Sequence, residues 1–247
     1  MKRIRMNGGG LDVVVLEPEG DQRPDVNVVL CHGFGAPGDD LVPLSGELSG
    51  LLGDVGARVR WIFPEAPLSL AELGAPMGRA WWMIDVERLV MRRDWDRYVD
   101  EVPDGLPKAR RMLTALIDDL SRRTGVGMSR TILGGFSQGA MLATDLTLRA
   151  EEAPLGLCVL SGALIARGAW MERAPKRTAL PIFQSHGRND PILPFEIGER
   201  LRKLFEDAGM SVTFVPFNGE HTIPMSVLEQ LAAWMKMRLP APAAVRP

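Results

Sequence analysis

Cysteine and histidine are scarce: two cysteines and three histidines occur among 247 residues. That is too few for a disulfide framework or for metal-ligand spacing. Cys31 and Cys158 each sit in an apolar run that reads as a buried strand, so both are expected to be free thiols in a core. A thiolate pair between Cys31 and His32 is set aside, because adjacent strand residues face opposite sides of a sheet. No block of Lys or Arg stands apart from acidic neighbours, and the formal net charge is −2, which argues against a nucleic-acid partner. No run approaches the roughly 20 apolar residues that cross a bilayer. The N-terminal Met1-Lys2-Arg3-Ile4-Arg5-Met6-Asn7 passes from charge to glycine without the apolar stretch of a secretory signal. The expectation is a soluble cytoplasmic chain without stable membrane insertion. No internal repeat is present, and nothing in the sequence specifies an oligomeric state.

What is there is apolar sequence cut into short pieces. At 46% hydrophobic residues, the chain can bury a sizeable core, and a single domain over residues 1–247 is expected. Strand patterns cover residues 11–17, 26–31, 57–63, 129–134, 155–161, 180–185 and 211–216. Helical periodicity covers 107–123, 138–150, 195–208 and 224–239, with Gly209 as a stop after the third. Strands alternating with helices predict an α/β fold: a mostly parallel, doubly wound sheet with helices on both faces. The run Asn7-Gly8-Gly9-Gly10 between two apolar segments predicts an N-terminal hairpin ahead of the parallel strands.

Residues 66–107 resist this pattern: no strand is predicted there, and Trp81, Trp82, Met83, Trp95 and Tyr98 mix with a charged series. A connection this long is usually functional or disordered, and the aromatics favour an ordered excursion over the sheet. The tail, residues 240–247, is expected to fray.

Gly135-Phe136-Ser137-Gln138-Gly139 follows a predicted strand and opens a predicted helix. In that context the motif is a nucleophile elbow: the serine occupies a strained turn, and the neighbours two positions away must lack side chains. The helix start offers N–H groups and a positive dipole end to negative charge near Ser137. A serine hydroxyl needs a base, and the base needs an orienting acid. In the order Ser, acid, His, His32 is excluded because it precedes the serine. For His186, the intervening acids Asp145, Glu151 and Glu152 lie in or just after a helix rather than at a strand end. His221, in a loop after a strand and before the last helix, fits, with a structural histidine as the bland alternative. Asp190 lies in the strand-end loop His186-Gly187-Arg188-Asn189-Asp190-Pro191, where open sheets place their catalysts. The alternative there is a turn aspartate before proline. Glu220 competes, but a sequence neighbour has difficulty reaching the far ring nitrogen of His221.

Acyl transfer also needs an oxyanion hole, whose donors are worth roughly 3–4 kcal/mol each. The backbone N–H of Gln138 is one expected donor, and the second should come from His32-Gly33-Phe34-Gly35, after an early strand. His32 is expected to be structural, orienting that loop.

Together, Cys31-His-Gly-Phe-Gly35, Phe63-Pro-Glu-Ala-Pro67, Gly78-Arg-Ala-Trp-Trp82 with Asp85, Gly134-Gly-Phe-Ser-Gln-Gly-Ala140, residues 185–194 and Gly219-Glu-His-Thr-Ile-Pro224 resemble the phospholipase/carboxylesterase family of α/β-hydrolases. The resemblance implies an α/β-hydrolase fold without a large cap, and no cofactor or metal. It also implies hydrolysis of short- to medium-chain acyl esters or thioesters. Position by position, Ser137, Asp190 and His221 match the family's triad, Phe34 and Gln138 its oxyanion donors, and Trp82 an aromatic beside the acyl pocket. Trp82 can equally be a core residue. The stretch from Asp85 to Pro107 is longer than in typical members, so Arg92, Arg93, Trp95 and Tyr98 are candidates for reshaping the pocket mouth.

Two other functions compete: a peptidase or amidase, and a noncatalytic α/β-hydrolase scaffold that binds a ligand. Matched ester and amide substrates separate the first from the favoured reading, which expects turnover of the ester and little of the amide; equal rates would contradict it.

Overall fold

The structure, a computed structural model, describes residues 1–20, 23–85 and 94–239. The chain opens with the expected hairpin, β1 (Lys2–Gly8) and β2 (Leu11–Glu17), paired antiparallel. Its turn uses Gly9 at φ 61°, and a Cβ there would stand 2.4 Å from the backbone of Met112 and Leu116, so the turn can close only as glycine. The strands β3 (Val26–Cys31), β4 (Val59–Pro64), β7 (Thr131–Phe136), β8 (Gly156–Leu160), β9 (Pro181–Gly187) and β10 (Ser211–Phe217) complete an eight-stranded sheet of order β1-β2-β4-β3-β7-β8-β9-β10. From β4 to β10 all neighbours run parallel.

Parallel strands are buried on both faces, so their sequences read as continuous apolar runs. In β3, Val29 and Cys31 enter one core while Val28 and Leu30 enter the other; Leu157 and Val159 against Cys158 and Leu160 do the same in β8. The first core is closed by α3 (Leu106–Thr124), α4 (Gln138–Arg149), α5 (Arg167–Arg173) and α6 (Phe195–Asp207), through Leu113, Leu146, Trp170 and Leu201. On the opposite face, α1 (Leu44–Leu52) and α7 (Met225–Arg238) contribute Leu48, Leu52, Leu231 and Trp234. Each such side chain stabilises the fold by about 1.5–3 kcal/mol on burial.

The structure departs from the sequence reading in the connections. Residues 66–107 do contain strand: β5 (Leu68–Ser69) and β6 (Arg79–Ala80) form a small antiparallel ladder, followed by the one-turn helix α2 (Trp95–Tyr98). Two-residue strands are too short for an alternation pattern to appear. Helix α1 also escapes periodicity, because it is short, carries two poor helix formers, Gly46 and Gly50, on its exposed side and buries Ser45 beside Leu48 and Leu52, and α5 is two turns built round one buried residue, Trp170. Trp95 and Tyr98 pack edge-to-face at 5.8 Å inside the first core, so Trp95 is a core residue and not part of a pocket mouth. Arg92, Arg93 and the tail 240–247 lie outside the described residues.

Asp145, in the middle of α4, has a fully buried carboxylate. It pairs with Arg110 of α3, with Arg149 at 3.0 Å and with the indole N–H of Trp170 in α5 at 2.9 Å. One charge therefore ties three helices together, and its removal leaves a buried indole donor without an acceptor. Asp145→Ala is expected to lower unfolding stability by about 2–4 kcal/mol in urea titration; an unchanged midpoint would show that the helices hold without it.

Candidate active site

The sheet delivers Ser137, Asp190 and His221 to one edge. β7 ends at Phe136, paired with Leu160 of β8, and the Ser137 N–H donates to the Leu160 carbonyl at 2.9 Å. Ser137 then turns at φ 55° and ψ −118° into α4. For a residue with a side chain this backbone costs about 1–3 kcal/mol, and surrounding packing has to enforce it. A Cβ on Gly139 would stand 2.0 Å from the Cys31 carbonyl oxygen, and one on Gly135 would stand 2.4 Å from the same atom. The glycines flanking Ser137 thus let α4 start against the end of β3.

Asp190 and His221 arrive from the adjacent strands β9 and β10, whose register pairs Gly187 with Phe217. Their loops are stapled together: the Arg188 N–H donates to Phe217 at 2.9 Å and the Asn189 N–H to Gly219 at 3.0 Å. This brings His221 Nδ1 to 2.6 Å from Asp190 Oδ2. The other carboxylate oxygen accepts the N–H groups of Ile192 at 2.9 Å and Leu193 at 2.8 Å. Burial pushes the Asp190 carboxyl up, but the hydrogen bond and charge of His221 and the two N–H groups outweigh it and hold it below the ordinary carboxylate range. Asp190 is therefore ionised, His221 donates from Nδ1, and Nε2 is the nitrogen left to accept a proton. The ring lies 4.6 Å from that of Phe136, beside Ser137. Glu220 is exposed.

The loop after β3 comes up against the serine: a Cβ on Gly33 would meet that of Ser137 at 3.3 Å. His32, 1% exposed, governs this loop. Its Nε2 accepts the Ala66 N–H at 3.1 Å, so its proton is on Nδ1, which donates to the Gly33 carbonyl at 2.8 Å. In a trans peptide the Phe34 N–H points opposite to that carbonyl, so His32 fixes the direction of this candidate donor. Gly35 and Ala36 are held by backbone bonds of 2.9 and 3.1 Å to Arg79, whose Nε donates to Ala66 O at 3.0 Å.

Gln138 is fully buried, and its side-chain amide accepts the Trp81 N–H at 3.0 Å and donates to the Trp82 carbonyl at 2.8 Å. Its own backbone N–H lies in the first turn of α4, where no intrahelical acceptor exists. Trp82 is 1% exposed in the core and also walls a cavity of about 600 Å³ with Leu68, Met83, Ile84 and Tyr98. Sequence reasoning missed the bracing by Arg79, Ala66 and the Gln138 amide, because these contacts join residues far apart in the chain through main-chain atoms that any residue type carries. His186 is fully buried below Asp190. Both cysteines are buried free thiols, pushed up by desolvation, and neither touches a partner that would activate it. Among the described residues no group of three or more acidic, Cys or His side chains could hold a metal ion, and no helix is long and apolar enough to cross a membrane.

The family described as phospholipase/carboxylesterase matches residues 13–239. An acyl-protein thioesterase 1 from Emericella nidulans is 27% identical over 222 residues, covering 87% of this chain and 90% of its own. Lysophospholipase-like protein 1 of Mus musculus is 28% identical over 187 residues, 74% of each chain. The crystal structure of esterase PE8 superposes with a TM-score of 0.76 at 29% identity, over 91% of this chain and 97% of that one.

Burial lowers the proton affinity of His32 and His186, so the folded state holds them neutral while the unfolded chain protonates them near an ordinary imidazole value. Over that window the unfolded state binds more protons, and stability falls as pH falls. The urea midpoint is expected to drop as pH is lowered through about 6.5 towards 5; a flat midpoint there would contradict neutral burial.

Proposed function

Because the chain belongs to the phospholipase/carboxylesterase family of α/β-hydrolases, we propose that it is a serine hydrolase that cleaves short- to medium-chain acyl esters or thioesters through a covalent acyl-enzyme. The observation that carries the reading is the 2.6 Å bond between Asp190 and His221, delivered to the same sheet edge as the strained Ser137. In this account Ser137 is the nucleophile, His221 the base and Asp190 its orienting acid. His221 Nε2 takes the hydroxyl proton as Ser137 Oγ bonds to the carbonyl carbon. The negative oxygen that forms is met by the N–H groups of Phe34 and Gln138. Collapse breaks the bond to the alcohol or thiol, which leaves with the proton from His221. Water then gives a proton to His221 and attacks the acyl-serine; the acyl–Oγ bond breaks, the acid leaves, and His221 returns the proton to Ser137 Oγ. The residues supply every proton transfer, so the scheme uses no cofactor.

The acyl chain is assigned to the cavity of about 600 Å³ beside Trp82, on the wall made by Leu68, Met83, Ile84 and Tyr98; Asp85, Glu101 and Asp104 line the rest of it. The curated relatives named as a thioesterase and as lysophospholipase-like support an acyl ester or thioester substrate here. By this reading the protein is one domain acting in the cytoplasm. A noncatalytic scaffold would not need Ser137 strained next to a bonded Asp–His pair.

Nitrophenyl esters of graded chain length test the proposal. Ser137→Ala is expected to lower kcat by about 10⁴-fold or more, and the wild-type optimum to report the depth of the cavity at Trp82. A mutant at the wild-type rate would refute Ser137, and a wild type inert on every ester would favour the scaffold.

A further inference from the structure

His186 is the one histidine with no role in the scheme above, yet it sits against its acid. The ring is fully buried. Nε2 lies 2.8 Å from the Leu193 carbonyl, an acceptor only, so Nε2 carries the proton and donates it there. Leu193 is also the residue whose own N–H bonds Asp190 Oδ1 at 2.8 Å. The same nitrogen lies 3.6 Å from Asp190 Oδ2, the oxygen bonded to His221, beyond hydrogen-bond distance. The proton is directed at Leu193, so His186 touches Asp190 through the turn: the carbonyl of Leu193 is held by His186 and its N–H by the carboxylate.

The opposite edge of the ring explains why it stays neutral. Among the described residues Nδ1 is buried without a partner, and a Cβ on Gly198 of α6 would stand 2.5 Å from it. A proton on Nδ1 would be an orphan donor pressed against helix backbone. The titratable and charged groups acting on the ring are Asp190, His221 and Glu196, and Arg188 stacks on the Phe195 ring that meets His186 edge-on. A protonated His186 would compete with His221 for Asp190.

We propose that His186 is a positioning residue, a neutral N–H donor that clamps the Asp190–Leu193 turn and so fixes the carboxylate against His221. The inference rests on the triad reading and adds a second histidine to it.

In wild-type protein, two-bond ¹H–¹⁵N correlation spectra are expected to show His186 as the Nε2–H tautomer throughout the pH range in which His221 gains its proton. A His186 that titrates with His221, or holds its proton on Nδ1, overturns the proposal. His186→Leu keeps bulk without a donor. It is expected to lower kcat on nitrophenyl butyrate about ten- to a hundredfold with KM little changed. It should also move the acidic limb of the rate profile to lower pH, because a loosened carboxylate favours the imidazolium less. The strongly downfield Nδ1 proton of His221 should weaken or vanish, and His186→Gln, whose amide can reach the Leu193 carbonyl, should recover part of each effect. A loss of thermal stability with limb and resonance unmoved would reduce His186 to filler and overturn the proposal. If His186→Leu does not fold, the wild-type tautomer and His186→Gln decide. The triad is judged apart, by Ser137→Ala, whose failure to lose activity leaves the His186 tautomer still measurable.

Discussion

There is no room for a single carbon where β7 and the helix that follows it meet the end of β3. The Cys31 carbonyl oxygen lies 2.0 Å from where a Cβ of Gly139 would stand and 2.4 Å from where one of Gly135 would. That contact brings α4 down onto the end of β3. The turn between β7 and α4 must then be made in one residue, and Ser137 is driven to φ 55°. The contact also sets Ser137 beside the loop after β3, where Gly33 meets it and the Phe34 N–H is aimed by His32. Backbone crowding thus sets Ser137, the start of α4 and the loop that carries Phe34 side by side.

The second constraint is electrostatic. The sheet edge holds one buried carboxylate, Asp190, and three histidines, all of the chain's supply. Burial keeps His32 and His186 uncharged, and each spends its single N–H on a carbonyl, Gly33 in one case and Leu193 in the other. His221, alone of the three, is only partly buried and bonds the carboxylate through Nδ1. Environment, not residue type, divides a proton acceptor from two fixed donors.

Much of this was legible in the sequence for stated physical reasons. Strands buried on both faces, such as Val26–Cys31 and Gly156–Leu160, appear as apolar runs, and their ends fall within about two residues of the expected ones. The elbow is legible because sterics demand glycine at fixed offsets from Ser137. The ladder of β5 and β6, α1 and α5 were not, since two-residue strands and short helices are held by tertiary contacts and carry no period of their own. The aromatic stretch was legible as ordered, but its division was not: Trp95 goes to the core, while Trp82 also faces a cavity. The clamp on Asp190 and the bracing of His32 by Ala66 run through main-chain atoms, which no side-chain pattern encodes.

The central claim is that an acyl group passes through Ser137. Acid quenching during steady-state turnover of a nitrophenyl ester, followed by peptide mass mapping, tests it directly. The account predicts a mass increase equal to the acyl group on the peptide carrying Ser137 and its disappearance as substrate is exhausted. An acyl adduct that accumulates and decays on another residue, or turnover with no covalent species when acylation is made fast, would contradict it.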